Sequence, residues 1–273
     1  MVDKILVFHI YVYDSETYTE NIAYKLHMSC LKHYSDVFNK ACFNIACENP
    51  NNVSVINRVK HDIIDCGFNN LEIIVTHNDV YCEVNTFKHF VLDRIGTVKG
   101  LVFFGHTKGI MNVIDGINYP ENILKWAYTM YFFNLEKEYV DNMEKRLIFS
   151  YGGGKNTFFG TLRQFNDTYT KSFFPGTFYW VNVMKLYEDS IDGTVRIPNI
   201  ANRNFCEELP YIYENKENSY NGVASCNNIY IGNDVWLYND NDWNDISFTL
   251  SGGDNTTYWD VYNDILSEIN VGL

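Results

Sequence analysis

The sequence predicts an α/β protein whose first half carries a mostly parallel sheet and whose second half is less regular. Three observations lead there. Apolar runs of strand length alternate with stretches of helical spacing from residue 4 to residue 106. The connections between them are short. Alternation of that kind implies parallel strands joined by right-handed crossovers. The chain of 273 residues, 46% apolar and 20% charged, is globular in composition and long enough for a substantial core.

Each element follows in turn. Residues 4–13 (KILVFHIYVY) read as a first strand. Residues 17–38 place Ile22, Leu26, Cys30 and Leu31 near helical spacing, with Thr19 or Asn21 as the cap. A second strand spans 40–48. Val55, Val59 and Ile63 recur at four-residue steps in a helix over 51–68 that stops near Gly67. A third strand covers 71–79. A helix over 83–95 gathers Phe87, Phe90, Val91 and Ile95 on one side, and a fourth strand runs over 100–106. Beyond it, 120–147 reads as one or two helices with Pro120 in the first turn. Residues 150–165 look like loop, 171–191 like an apolar run leading into a helix, and 202–213 like a helix start. The Asn- and Asp-rich tail from about 225 carries scattered strands and ends in a helix over 256–270. No repeat or long linker divides the chain. The expectation is one domain over 1–273, with halves at 1–110 and 111–225 and an extension at 226–273.

Composition narrows the function. A formal charge of −13 argues against a nucleic-acid partner bound through phosphates and against docking on an anionic membrane. Seven cysteines with no C-x-x-C spacing act as small apolar residues in a reducing compartment. The N-terminus has no basic region or cleavage site, so neither signal peptide nor transmembrane segment is expected, and the location expected is cytoplasmic. Aromatics at 16%, with 21 Tyr and 19 Phe, suit a heavily packed chain that also binds sugars or bases.

Ligands of parallel α/β sheets gather at the carboxyl ends of the strands. Those ends are Tyr11–Asp14, His77–Asp79 and Gly105–Lys108. The last is the strongest feature, because an apolar strand runs out into Gly105, His106, Thr107, Lys108 and Gly109. A lysine there reaches for an anion such as a diphosphate, a histidine ligates a metal, contacts phosphate or moves a proton, and glycines let backbone approach a ligand. The same residues equally suit an ordinary strand exit.

Other candidates are weaker. YGGGKNT (151–157) misses the phosphate-loop pattern, with Phe149 where its first glycine belongs and Asn156 after the lysine. NDNDWND (239–245) fails as a calcium loop, since counting from Asp240 puts Asp245 and Ser251 where Gly and Glu are needed, and it reads with 252–260 as solvated loop. Arg203 and Glu207 share a face if helical, with Glu208 adjacent, as a base and its orienting cation or as a surface ion pair. G-x-S-x-G and H-E-x-x-H are absent.

Four elements in order resemble a family. The strand ending in HTKG, the segment WAYTMYFFNL (126–135), FFPGTFYW (173–180) and RNFCE (203–207) are similar to a group of glycosyltransferases associated with bacterial polysaccharide loci and large DNA viruses. The third element departs from that family's F-x-G-N-F-W-W segment, with Pro175 and Thr177 in place of Ser and Asn. The resemblance covers roughly residues 1–215. It implies a GT-A fold, a Rossmann-like nucleotide-sugar-binding half joined to an acceptor half. It also implies a UDP- or GDP-sugar donor and a glycan or glycoprotein acceptor. In that fold the strand ends in Asp-x-Asp, which holds a divalent cation such as Mn or Mg. Here His106 and Lys108 stand in its place, so that Lys108 neutralises the diphosphate or His106 ligates a metal.

The resemblance further implies that Tyr11, Tyr13, Asn78, Asp79 and Thr107 bind the nucleotide sugar beside His106 and Lys108. Gly176, Thr177, Tyr179 and Trp180 lie beside sugar and acceptor, with an aromatic ring stacked on the pyranose. Glu207 deprotonates the acceptor hydroxyl with Arg203 orienting it, in an inverting reaction. Two rivals remain: a protein of the same fold that binds nucleotide or glycan without turnover, and a nucleotidyltransferase.

Overall fold

A computed structural model describes residues 2–107, 110, 120–148, 157–161, 164–166, 171–173, 177–191, 205–206, 209–210, 223–225 and 240–270. The first half alternates as its sequence predicts: β1 (Lys4–Val12), α1 (Ile22–His33), β2 (Lys40–Cys47), α2 (Val53–Asp65), β3 (Leu71–His77), α3 (Glu83–Phe87) and β4 (Leu101–His106). Asn21 caps α1, its side chain accepting from the Ala23 and Tyr24 amides at 2.9 and 3.3 Å. The helix expected over 83–95 is shorter: α3 passes into a π turn (Lys88–Leu92).

The stretch 120–147 forms two helices, α4 (Pro120–Leu135) and α5 (Lys137–Leu147). Glu136 separates them with extended backbone (ψ 145) while its carboxylate accepts from the Lys137 amide. Then come β5 (Phe158–Gly160), β6 (Gln164–Asn166), β7 (Lys171–Phe173), β8 (Tyr179–Asn182), α6 (Val183–Ile191) and β9 (Val223–Ser225). The tail holds α7 (Asp240–Leu250) and α8 (Thr256–Asn270). The first corrects the loop expected at 239–245: Trp243, Ser247 and Leu250 are buried at helical spacing, and that stripe outweighs the Asn and Asp around it. No helix among the described residues is long and apolar enough to cross a membrane.

Seven strands form one mostly parallel sheet in the order β3-β2-β1-β4-β8-β5-β9, and β6 and β7 pair apart from it. β8 alone runs against its neighbours β4 and β5. The chain winds outward from β1 to β3 and then returns to lay β4 on the other side of β1. That reversal makes the carboxyl ends of β1 and β4 the topological switch point, where sheets of this kind receive ligands.

Strand alternation gives the sheet two faces. Leu6, Phe8, Ile10, Phe43, Ile45, Phe103 and Trp180 belong to one core, which takes in α1, α2, α4, α5 and α8. Val7, Cys42, Val102, Phe104, Tyr179 and Val181 belong to a second core, with α3, its π turn and α6. Cys30, Cys42, Cys47 and Cys66 are buried thiols, the last pushed up to about 12 by burial, which suits packing and not nucleophilic chemistry.

Candidate functional site at the switch point

β4 ends where its sequence places the HTKG element, beside the carboxyl end of β1. Thr107 ties the two strands together: its amide donates to the His9 carbonyl and its Oγ1 accepts from the Tyr11 amide, both at 3.0 Å. Its hydroxyl is engaged in the sheet and its side chain is buried, so a ligand role for Thr107 is not what this geometry offers. Gly105 also differs from expectation. A Cβ there would come within 3.0 Å of Phe8 and 3.2 Å of Phe178, so glycine is needed for packing and not for ligand approach. His106 is partly exposed, its ring centroid 6.0 Å from that of Phe178. Lys108 and Gly109 lie outside the described residues.

Behind His106 runs a row of polar side chains that the sequence reading missed. His106, His9 and Asn44 are register partners across β4, β1 and β2, and their parity directs them to the α3 face. His9 Nδ1 is 2.9 Å from Thr86 Oγ1 of α3, Asn44 Nδ2 donates to the same oxygen at 2.8 Å, and Thr76 Oγ1 donates to Asn44 Oδ1 at 3.0 Å. His9, Asn44 and Thr86 are at most 2% exposed, so the row is a satisfied polar network inside an apolar layer. Burial drives the His9 pKa down to about 4; Glu83 and Asp79 oppose the shift, and the neighbouring His106 reinforces it. His9 is therefore neutral at pH 7. The signal was visible in KILVFHIYVY and KACFNIAC, where one His and one Asn interrupt otherwise apolar strands on one parity.

The rim of the sheet at this edge is rich in acceptors. The Tyr11 hydroxyl donates to the Glu48 carboxylate, which also accepts from the Asp14 amide at 3.2 Å. Burial and then the Glu48 carboxylate push the Tyr11 phenol well above its usual range. Asp14 takes the Asn52 and then the Asn49 amide, at 2.9 and 3.1 Å, which hold its carboxyl below the usual range. Tyr13 is spent on packing edge-on against Tyr18. The Asn78 amide donates to the Cys47 carbonyl at 2.8 Å, while its Oδ1 is buried with no partner among the described residues. The Asp79 carboxylate accepts from the Tyr81 amide and from Asn85 at 2.8 Å each. Cys82, with φ +47 and ψ −125, closes a tight turn from Tyr81 to Val84 that follows Asp79. Tyr11, Asn78 and Asp79 thus share the carboxyl edge with Glu48, which the sequence reading did not single out.

The acceptor-side candidates separate. Thr177 has φ +57, is fully buried, and its Oγ1 has no partner among the described residues. A β-branched residue in the left-handed region is strained, and such strain collects at functional sites. Thr177 stands two residues before Tyr179, the β8 partner of Phe104, just as His106 stands two residues after Phe104.

Tyr179 and Trp180 correct the expectation of an aromatic platform for a sugar. Both rings are fully buried. The Tyr179 hydroxyl donates to the Cys206 carbonyl, the Trp180 indole donates to the Asn134 carbonyl, and Trp180 packs on Phe103 and Phe38. Gly176, Arg203, Glu207 and Glu208 lie outside the described residues. Among the described residues, no group of three or more His, Cys, Asp or Glu side chains converges to hold a metal ion.

A hollow of about 1130 Å³ lies between α1, α2 and the end of α8. Lys25, Lys32 and Arg58 mix there with Asp62, Asp65 and Glu268, and Tyr24 donates to Asp62 at 2.7 Å. Its walls carry both signs without a converging reactive set, whereas the switch point combines strand ends, a buried polar row and a strained neighbour.

Comparison with protein-family models finds no match to this chain, and comparison with curated proteins finds none either.

Proposed function

We propose that the protein is a glycosyltransferase of the GT-A type that moves a sugar from a nucleotide-sugar donor to a hydroxyl of a glycan. The observation that carries this reading is the position of the HTKG element. His106 ends the strand that borders the switch point of a mostly parallel sheet, where donors of this class are bound. The acceptor-rich rim of Tyr11, Glu48, Asn78 and Asp79 suits groups that donate hydrogen bonds, namely ribose hydroxyls and base N–H. By the resemblance, His106 and Lys108 meet the diphosphate.

In the reaction, the acceptor oxygen forms a bond to the anomeric carbon as the bond from that carbon to the donor phosphate oxygen breaks. The electron pair leaves on the nucleoside diphosphate, whose charge His106 and Lys108 stabilise. By the resemblance, Glu207 takes the acceptor proton with Arg203 orienting it, and Gly176 and Thr177 flank the sugar. The outcome at the anomeric carbon is inversion.

The test is donor hydrolysis followed by NMR over a panel of UDP- and GDP-sugars, with and without EDTA. One donor is expected to be hydrolysed by the wild type and spared by His106→Ala and Lys108→Ala variants that keep their fold. Loss of activity in EDTA would assign a cation to the diphosphate. Binding without hydrolysis would favour a non-catalytic nucleotide-binding role, and no binding by any donor would overturn the reading.

A further inference from the structure

The buried row behind His106 is more polar than packing requires. Apolar residues of similar shape at His9, Thr86 and Asn44 would fill the same space and avoid desolvating an imidazole. What the row adds is direction. Thr76 gives its one hydroxyl proton to Asn44 Oδ1, which fixes the amide so that Nδ2 donates to Thr86 Oγ1. Thr86 Oγ1 has a second lone pair, but it meets no other acceptor among the described residues, so its single proton goes to His9 Nδ1, 2.9 Å away. His9 Nδ1 therefore accepts. In a neutral ring the proton must then sit on Nε2.

His9 and His106 are register partners on adjacent parallel strands with side chains on one face, and each lies within the field of the other. We propose that His9 is a positioning residue for the switch-point site: the Thr76–Asn44–Thr86 chain locks it as the neutral Nε2–H tautomer, and its fixed ring orients the ring of His106. The consequence is that His106 meets an anionic ligand from one orientation, beside an uncharged neighbour. The catalytic part of this inference rests on the glycosyltransferase reading, and the orientation part does not.

Long-range 1H–15N correlation spectra of the full chain report the tautomer of each histidine. His9 is expected to carry its proton on Nε2 alone. Thr86→Val keeps the shape of the side chain and removes the hydroxyl. It is expected to mix the His9 tautomers and shift the His106 ring signals, and Thr86→Ser is expected to restore both. Thr76→Val, at the partly exposed end of the row, is expected to move both signals in the same direction by less, and it serves if Thr86→Val fails to fold.

With a donor in hand, Thr86→Val should lower kcat by about ten- to a hundredfold at nearly constant KM, the scale of a misplaced reacting group. An Nδ1–H tautomer in the wild type would overturn the proposal, as would variants that change His9 and leave the His106 signals in place. A wild type that hydrolyses no donor would instead remove the glycosyltransferase reading and leave the spectroscopic result standing.

Discussion

The two faces of the sheet are made from the same strands and are built to different ends. Toward α1, α2 and α4, β1 presents Leu6, Phe8, Ile10 and Val12 in succession, all buried and apolar along the full strand. Toward α3 it presents Val7 and then His9, so this face turns from apolar to polar toward the carboxyl end. β2 does the same with Cys42 and Asn44, and β4 with Phe104 and His106. One face is a core throughout. The other gives up apolar burial at the single edge where a parallel sheet receives a ligand.

The largest effect should come from the apolar face. Phe103 is fully buried between Phe38, Phe178 and Trp180, and Phe103→Ala should cost about 3–5 kcal/mol in urea denaturation. A cost below about 1 kcal/mol would break the contrast between the faces.

Acid should act through the other face. His9 has a folded pKa of about 4 against 6.5 in an ordinary setting, so below pH 6.5 the unfolded chain binds a proton that the folded chain refuses. Stability should fall as pH drops from 6.5 toward 4, by up to about 3 kcal/mol, and this loss should level off below 4. Glu72, held at about 2 by Arg94 and then Lys40, adds a further loss as pH falls from 4.5 toward 2. His9→Gln should flatten the first window and leave the second. An unchanged profile would mean that the His9 ring is charged or solvated.

The smallest effect should be at the rim. Tyr11→Phe removes a hydrogen bond to the exposed Glu48, and should change stability by no more than about 1 kcal/mol. A larger loss would extend the stabilising network out to the edge and blur the distinction between row and rim.

Much of the first half was legible because each signal there is local. Asn21 before Ile22 caps a helix whatever lies around it, and Val55, Val59 and Ile63 mark a buried stripe by spacing alone. What escaped depends on neighbours distant in sequence. The polar row joins β4, β1 and β2 to Thr86 of α3, so His9 and Asn44 acquire meaning only once register is known. The same holds for Tyr179 and Trp180, whose burial depends on Cys206 and Asn134 carbonyls far away in the chain. α7 is obscured for a different reason: its Asn and Asp content masks the helical spacing of Trp243, Ser247 and Leu250.

The antiparallel seat of β8 against β4 also sets a timetable. At synthesis rates of about 5–20 residues per second, the roughly 70 residues between His106 and Tyr179 take some 4 to 14 s to emerge. Until then β4 is paired on one side only, and Leu101–Phe104 present unpaired backbone amides and carbonyls flanked by large apolar side chains. The nascent four-stranded unit therefore waits with an adhesive edge, and the strand that seals it arrives from a part of the chain not yet made.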